Sequence, residues 1–319
     1  AEITSNKEPR TMHPDVSFVL PVYNKAAALP YFFASLLAQT GDVSFEVVFV
    51  DDVSTDKSLE ILNGFAATHD FVRVITNTVN AGPSIRLNQG VKAAKGTYLA
   101  LFDCDEVLAP DAVERLMSLA KEHDADMVHG RGQKTTAAIA EVTVDPIGES
   151  FGFKIHDDPL ERVLGRGMVR MTWLVDRALF EAAGGCDADV FIQDESLPLR
   201  LSFHARRVVD ADMVVTVIPD TGSHLSANKM QQHHDRFFVY AHFLADHREL
   251  APAKCRKLFG KCLSAVRKAK REGAPFKAFD LQSRYLAHKI GVGRCDPTDL
   301  KRFEPVFQNL PDIRRPVNP

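Results

Sequence analysis

The sequence predicts an α/β fold, with a mainly parallel sheet flanked by helices and a mostly helical C-terminal extension. Short apolar runs alternate with amphipathic segments at close spacing through residue 128, which is the pattern of βαβ units. Acidic residues follow two of these runs directly, as expected at the carboxyl ends of parallel strands. After Lys229 the pattern is helical and basic until about Ile290.

The elements of the first half can be placed from their hydrophobic periodicity. Strands are expected at 16–22, 45–50, 72–75, 98–102 and 126–128. Helices are expected around 29–37, around 59–65 after a cap at Ser54 or Asp56, at 84–94 and at 110–123. Residues 1–15 show no periodicity and are expected to form a loose arm.

The second half is predicted to add further strands and helices. We expect strands at 171–175 and 208–219, a short helix at 178–183 ended by Gly184-Gly185, and a helix opened by Asp194. The last thirty or so residues contain five prolines and are expected to be mainly loop.

Composition narrows the class of protein. The chain has 319 residues, 45% of them hydrophobic and 25% charged, which is ordinary for a globular protein. It has no apolar run long enough to span a bilayer, and its start lacks a signal-peptide core, so we expect a cytoplasmic protein. The five cysteines are odd in number and form no C-x-x-C, which argues against a disulfide framework and a zinc site.

The charge is divided unevenly along the chain. Residues 229–302 carry 17 Lys and Arg against 7 Asp and Glu, whereas the whole chain has a net charge of -3. An acidic body with a basic tail suggests two separate tasks for the two parts.

The stretch Tyr98–Glu106 is an apolar run that ends in three carboxylates. If the backbone stays extended, Asp103 and Asp105 point to one face and Cys104 to the other. Two close carboxylates need a proton or a cation, and hard oxygen ligands suit Mg²⁺ or Mn²⁺. The alternative is that these aspartates only cap the helix that starts near Pro110.

Several motifs in this order resemble the family 2 glycosyltransferases of the GT-A fold, which implies a mixed, mainly parallel sheet. The matching stretches are Val16-Ser-Phe-Val-Leu-Pro-Val-Tyr-Asn24, Val50-Asp-Asp-Val-Ser-Thr-Asp56, Asn80-Ala-Gly82, Asn88-Gln-Gly90, Gly96-Thr-Tyr98, Leu101-Phe-Asp-Cys-Asp105, Gly184-Gly185 and Gln193-Asp-Glu-Ser-Leu-Pro-Leu-Arg200. Each is weak alone, but their order and spacing over about 190 residues make the set specific.

The resemblance implies roles for named residues. Asp105 would bind the divalent metal, and Asp194 would be the catalytic base, with Glu195 as the other candidate. The residues implied in donor binding are Pro21, Val22, Tyr23, Asn24, Asp52, Arg86, Asp103 and Cys104. Among these, Pro21 and Asp52 would border the nucleobase pocket, with Asp103 near the ribose or base.

Each role has a structural alternative. Asp194 could be the N-cap of the helix that runs through Arg200, and Arg86 could pair with a surface acid instead of binding phosphate. Cys104 could be a small buried hydrophobe. His224 could be a third metal ligand, although a single histidine is more often structural.

Four other positions have similar alternatives. Trp173 could stack on an acceptor sugar or pack in the core, and His233 and His234 are expected to be solvated. Asp51 is expected to bind loop amides rather than ligand.

The chain departs from the family pattern at three places. Val53 replaces the usual glycine after the paired aspartates, so we expect a differently shaped turn, because a β-branched residue resists a positive φ. Gln193 stands where a glutamate is typical, and the usual Arg-Asn pair is shifted to Arg86-Leu-Asn88.

The resemblance implies a division into an arm (1–15), a glycosyltransferase domain (16–228) and a basic helical extension (229–319), the domain being split into a nucleotide-sugar half (16–128) and an acceptor half (129–228). The implied reaction is the inverting, metal-dependent transfer of a sugar from a nucleotide sugar, with UDP as the default nucleotide. The acceptor would be a glycan or a lipid-linked molecule in bacterial-type surface polysaccharide or glycolipid assembly. The alternatives are a degenerate sugar-nucleotide-binding module and a nucleotidyltransferase. A homodimer is also possible.

The basic extension suggests a surface partner. Residues 236–289 mix apolar and basic residues, which fits either a solvated helical face or docking on an anionic membrane at its inner face. Nucleic acid is not expected as a partner, since no reader motif or aromatic platform accompanies the charge.

Overall fold

The computed structural model describes residues 13–166, 171–219, 228–274, 281–291, 295–308, 310 and 313–317. Within these residues a nine-stranded sheet has the order β3-β2-β1-β4-β8-β6-β9-β5, with β7 paired to β9. The strands are β1 (Val16–Val22), β2 (Phe45–Asp51), β3 (Val72–Ile75), β4 (Tyr98–Leu101), β5 (Val107–Leu108), β6 (Met127–Lys134), β7 (Phe153–His156), β8 (Trp173–Asp176) and β9 (Val208–Ile218).

The helices cover both faces of this sheet. They are α1 (Leu29–Leu37), α2 (Ser58–Thr68), α3 (Pro83–Ala93), α4 (Ala112–Glu122), α5 (Pro159–Arg166), α6 (Arg177–Ala182), α7 (Gln193–His204), α8 (Lys229–Asp246), α9 (Pro252–Arg271), α10 (Leu281–Lys289) and α11 (Pro305–Gln308). One hydrophobic cluster contains buried residues of α1, α2 and α4, and the other contains those of α3 and α5 to α10. The sheet is therefore the middle of three layers, and the α/β fold is confirmed.

The first four strands of the sheet order are parallel, as the βαβ pattern predicts. β1 pairs in parallel with β2 and with β4, and β2 pairs in parallel with β3. The register sets Val22 beside Asp51, so the carboxyl ends of β1 and β2 lie side by side. The loops after these strands therefore share one edge, where ligands bind in open α/β sheets.

The rest of the sheet makes it mixed. β8 pairs antiparallel with both β4 and β6, whereas β6 and β9 pair in parallel. The two expected halves of the glycosyltransferase domain thus contribute strands to one sheet. The division into 16–128 and 129–228 stays a prediction.

The C-terminal helices pack on the same core as the sheet. Phe237, Leu258 and Leu263 are fully buried in the cluster that also holds Val19 of β1. The apolar residues that we considered for membrane contact along α8 and the inner face of α9 are therefore core residues. His233 and His234 are also buried, so the expectation that they are solvated is wrong.

The final segment contains more structure than its prolines suggest. A 3₁₀ helix covers Pro297–Phe303 and is followed by α11, and Phe303 and Phe307 are buried. The prediction of a mainly irregular end is therefore wrong for residues 297–308. No helix in the described part of the chain has both the length and the apolar character needed to cross a bilayer.

Candidate active site

The end of β1 forms one wall of the carboxyl edge. Val22 is buried and its carbonyl oxygen accepts a hydrogen bond from the amide of Asp52 at 2.8 Å. Tyr23 is 40% exposed, and the carbonyl oxygen of Pro21 lies 3.7 Å from Sγ of Cys104. These positions leave the Tyr23 ring accessible at the edge, while the predicted donor contacts of this segment stay predictions.

Asn24 joins the loops that follow β1 and β2. Its side-chain Oδ1 accepts hydrogen bonds from the amides of Thr55 at 2.7 Å and Asp56 at 3.3 Å, and its own amide donates to Oγ of Ser54 at 3.0 Å. Asn24 has a φ of 53°, a left-handed conformation that asparagine tolerates better than most residues. Its side chain therefore links the loop after β1 to the loop after β2.

The turn after the paired aspartates keeps a left-handed residue despite Val53. Val53 has a φ of 65°, so our expectation of a differently shaped turn is wrong. The amides of Val53 and Ser54 both donate to Oδ2 of Asp51, at 3.0 and 3.2 Å. Asp51 therefore binds loop amides, as expected, and these bonds help to hold the strained valine.

Asp52 is a buried centre of hydrogen bonding. Its Oδ1 accepts from the amide of Ala81 at 2.8 Å and from Nε of Arg86 at 2.6 Å, and its Oδ2 accepts from the amide of Gly82 at 2.8 Å. The side chain of Asn80 donates to the carbonyl oxygen of Asp52 at 2.8 Å. The motif Asn80–Gly82 is thus fixed by Asp52, whose predicted contact with a nucleobase stays a prediction.

Arg86 is 2% exposed and lies inside this network. Besides Asp52, it donates through Nη1 to Asn77 at 2.8 Å and to Gln89 at 2.9 Å, and through Nη2 to the carbonyl oxygen of Val79. We had left open a phosphate ligand or a surface acid as its partner. The structure gives it a buried acid, which holds α3 against the end of β2.

The loop after β4 carries the D-x-D motif in a turn. The amide of Glu106 donates to the carbonyl oxygen of Asp103 at 3.4 Å, so the backbone reverses here and our assumption of an extended backbone is wrong. Asp105 forms an ion pair with the ammonium group of Lys25, from the loop after β1. In this structure a lysine thus supplies the positive charge beside Asp105, a contact that the sequence did not indicate.

The electrostatics of this loop reflect two close carboxylates. Burial and the charge of Asp105 raise the pKa of Asp103 to about 7, although Lys25 counteracts the rise. Burial also raises the pKa of the Cys104 thiol. Cys104 is 2% exposed, which fits its interpretation as a small buried hydrophobe.

The residues of this loop fit a divalent cation. Two carboxylates, Asp103 and Asp105, lie close to the single ammonium group of Lys25, so the loop offers more carboxylate oxygens than this one cation neutralises. Carboxylate oxygens are the donors that Mg²⁺ and Mn²⁺ prefer. Asp105 would hold the ion, and Lys25 would have to leave its carboxylate.

The helix α7 begins with the predicted catalytic acids. It has Ile192 as N-cap and Gln193 as first residue, so Asp194 lies in the first turn and the N-cap interpretation is wrong. The amide of Ile192 donates to Oδ2 of Asp235, a fully buried residue of α8, at 2.9 Å. This bond satisfies one free amide at the helix start and fixes where Asp194 lies. The side chain of Glu195 lies outside the described residues.

The segment before α7 packs on α3, which brings it to the same edge of the sheet. Oγ of Ser84 donates to the carbonyl oxygen of Phe191 at 3.1 Å, and a side chain at Gly82 would come within 2.7 Å of the Phe191 ring. Asn88 exchanges two hydrogen bonds with the backbone of Cys186, at 2.8 and 3.0 Å. Asp52 and Asp194 are therefore connected through Gly82 and Phe191.

Arg200, in the second half of α7, contacts the Gly184-Gly185 turn that precedes this helix. Its Nε donates to the carbonyl oxygen of Gly185 at 2.7 Å. Gly184 and Gly185 have φ values of 69° and 67°, and a side chain at Gly185 would come within 2.4 Å of Asn88. The motif glycines are needed for this close approach.

Of the alternatives for Trp173 and His224, the structure settles only the one for Trp173. Trp173 is 1% exposed in β8, with its ring centroid 4.5 Å from that of His129, so it is a core residue and stacking on an acceptor is wrong. His224 lies outside the described residues.

A second acidic cluster lies beside the α7 segment. Asp187, Asp189 and His242 place possible ligand atoms within 4.8 Å of one another. However, Nδ1 of His242 is 2.9 Å from Oδ2 of Asp187, and this hydrogen bond raises the pKa of His242. In this structure the imidazole of His242 is therefore paired with Asp187.

Comparison with known proteins agrees with this architecture. The model of the family "Glycosyl transferase family 2" matches residues 17–184, more than half of the chain. The chain is 37% identical over 118 residues to a poly(ribitol-phosphate) beta-glucosyltransferase of Bacillus spizizenii, covering 36% of this chain and 19% of that protein. Matches to the curated relatives cover 13% to 58% of those proteins' lengths.

Solved structures share the fold over nearly the whole chain. Residues 1–349 of S. aureus TarS, solved also with UDP-GlcNAc, align over 92% of this chain and 88% of that one, with a TM-score of 0.64 and 17% identity. The mannosyltransferase PcManGT of Pyrobaculum calidifontis, solved with GDP-Man and Mn²⁺, aligns over 93% of this chain and 88% of that one, with a TM-score of 0.54 and 18% identity. At these identities the likeness establishes the GT-A-like fold.

Proposed function

The chain belongs to glycosyltransferase family 2, and on that basis we propose that it transfers a sugar from a nucleoside-diphosphate donor to an acceptor hydroxyl with inversion. The observation that carries the proposal is the carboxyl edge of the sheet. There the loops after β1, β2 and β4 meet, and Asp105 faces Lys25. The acids of this edge suit a metal-bound diphosphate.

The proposed chemistry needs no general acid. A diphosphate leaves as a stable anion, unlike the alcohol that departs in glycoside hydrolysis. A divalent cation held by Asp105 would supply charge neutralisation for that anion. The remaining requirement is a base for the acceptor hydroxyl, and we assign this to Asp194.

Asp194 would accept the hydroxyl proton as the acceptor oxygen attacks the anomeric carbon on the face opposite the diphosphate. Such a positioned carboxylate contributes roughly 10²- to 10⁴-fold in rate. The bond from Ile192 to Asp235 and the packing of Phe191 on Gly82 support this role, because they hold the start of α7 at the donor edge. Glu195 is the other candidate base.

The donor and acceptor are proposed from the relatives. TarS was solved with UDP-GlcNAc and PcManGT with GDP-Man and Mn²⁺, and UDP is our first choice of nucleotide. The relative from B. spizizenii is named for poly(ribitol-phosphate), so we propose an acceptor in bacterial surface polysaccharide or glycolipid assembly. Because Val53 takes a left-handed conformation, its departure from the usual glycine does not favour the degenerate module.

Thermal melting with a panel of nucleotides tests the proposal without knowledge of the acceptor. UDP, GDP and dTDP are each added with and without Mn²⁺ to the whole protein, to Asp105→Asn and to the exposed control Asp42→Asn. We expect one nucleotide to raise the melting temperature in a Mn²⁺-dependent way that Asp105→Asn abolishes and Asp42→Asn keeps. A panel without any shift, or a shift that survives Asp105→Asn, would overturn it.

A further inference from the structure

A basic groove runs between α9 and α10. It has a volume of about 610 Å³ and is lined by Ala253, Arg256, Lys257, Gly260, Lys261, Ser264, Tyr285, His288 and Lys289. The lining contains four basic side chains besides the histidine and no acid. A concave surface of this charge and size suits phosphate groups.

The groove depends on the close approach of the two helices at Gly260. A side chain there would come within 2.4 Å of Nε2 of His288, so Gly260 leaves the space that the His288 ring of α10 occupies against α9. The lining positions of α9 recur at intervals of three and four residues, which places them on one helical face. The groove is therefore a feature of two packed helices and not of a loop.

An apolar ridge lies next to the groove. Leu286 is 59% exposed and Ile290 is 67% exposed, the highest values among the large apolar side chains of the described residues. The amide of Ile290 donates to the carbonyl oxygen of Leu286 at 3.0 Å, so both side chains project from the same side of one helical turn. Tyr285 and Lys289 of the groove occupy the adjoining positions.

We propose that this surface, formed by the α9–α10 groove and the Leu286–Ile290 ridge, docks the protein on an anionic lipid bilayer. The cations of the groove would bind lipid phosphates, while Leu286 and Ile290 enter the boundary between headgroups and acyl chains. A soluble polyanion or a nucleic acid would match the charge, but it would leave the apolar ridge in water. The proposal does not rest on the proposed function.

Two of the groove's four cations also have partners within the protein. Lys257 pairs with Glu161 of α5, and Arg256 donates to the carbonyl oxygen of Gly291 at 3.1 Å. The three exposed cations Lys268, Lys270 and Arg271 continue the positive charge along the outer side of α9. The bilayer would thus meet a surface rather than a single pocket.

Sedimentation with vesicles tests the proposal on the whole protein. Vesicles contain either phosphatidylcholine alone or phosphatidylcholine with one third phosphatidylglycerol, at low salt. The variants are Leu286→Ser/Ile290→Ser for the ridge and Lys261→Glu/Lys289→Glu for the groove. The control is Leu37→Ser/Lys92→Glu, which changes an exposed leucine and an exposed lysine at the ends of α1 and α3.

We expect the protein and the control to bind the anionic vesicles at least tenfold more tightly than the neutral ones, and each test variant to lose at least tenfold. Circular dichroism and thermal melting show that the variants remain folded. Equal binding by the test variants and the control, or no binding by the unchanged protein, would overturn the proposal. Loss in the groove variant alone would also overturn it, since that result indicates a soluble polyanion as the partner.

Discussion

The ammonium group of Lys25 pairs with the carboxylate of Asp105 and joins the loop after β1 to the loop after β4. The contact neutralises one of the two acids of the D-x-D motif, while Asp103 keeps a raised pKa of about 7 because of its burial and the charge of Asp105. Lys25 thus occupies the carboxylate that we assign to the metal ion. The ion and the lysine should compete for it.

Removal of this lysine should strengthen metal binding. In Lys25→Met the Asp105 carboxylate is left without its cation, so we expect a three- to tenfold rise in affinity for Mn²⁺, about 1 kcal/mol. Electron paramagnetic resonance of free Mn²⁺ measures the affinity, and Lys57→Met is the control because Lys57 is exposed nearby. A fall in affinity would show that Lys25 assists the metal instead of competing with it.

Loss of Arg86 should destabilise the fold strongly. In Arg86→Leu the Asp52 carboxylate, 5% exposed, would remain buried without its charged partner. We expect the free energy of unfolding to fall by about 3 kcal/mol, measured by urea denaturation. The control Arg131→Leu breaks an exposed pair with Asp212 and should cost less than about 1 kcal/mol. Equal losses in both variants would show that the Asp52 network is not a stabilising centre.

The left-handed valine should be a site of stored strain. In Val53→Gly the φ of 65° becomes favourable, so we expect the melting temperature to rise. Glycine also adds entropy to the unfolded chain, and after this cost we expect the free energy of unfolding to increase by roughly 1 kcal/mol. At the control Val142→Gly, where φ is -78°, the same change should destabilise. A loss of stability in Val53→Gly would mean that valine side-chain contacts outweigh the strain.

The pair of His242 and Asp187 should make stability depend on pH. The hydrogen bond to Asp187 raises the pKa of His242 above 6.5, against the effect of burial. The pair's stabilisation is therefore fully present below about pH 6.5 and is lost as pH rises through the raised value. Burial acts to raise the pKa of Asp187, but the hydrogen bond from His242 contributes to a net lowering. The contribution of Asp187 is therefore present above about pH 3.8 and is lost as pH falls through the lowered value.

Urea denaturation at several pH values measures this effect. The difference in unfolding free energy between the protein and His242→Gln should be largest near pH 6 and should shrink toward pH 9. The control Asn63→Ala changes an exposed side chain of α2 that does not titrate, so it should show no such trend. A difference for His242→Gln that is constant with pH would contradict the assignment.

The sequence correctly predicted features that depend on local residue patterns, such as strand bounds and bonds within a loop. Strands β1 and β3 were placed at their observed bounds, because alternating and continuous apolar runs report strand burial directly. Asp51 was correctly expected to bind loop amides, since an aspartate after a strand commonly bonds to amides two residues on.

The contacts between distant segments could not be predicted in this way. Lys25 and Asp105 are 80 residues apart, and the pairing depends on the turn at Cys104 that periodicity does not show. Asp235 was overlooked because a single acid in a basic helix resembles a solvated residue, whereas it is fully buried and holds the amide of Ile192. Tertiary packing decides both cases, and a single sequence carries no direct signal for it.

The central claim is that Asp194 activates the acceptor at a site that binds the donor independently. The most direct measurement compares donor affinity and release of the nucleoside diphosphate for the unchanged protein, Asp194→Asn and Glu195→Gln, with the nucleotide sugar that the melting panel selects. We predict that Asp194→Asn loses roughly 10²- to 10⁴-fold in turnover with donor affinity unchanged. Normal turnover in Asp194→Asn together with its loss in Glu195→Gln would contradict this and assign the base to Glu195.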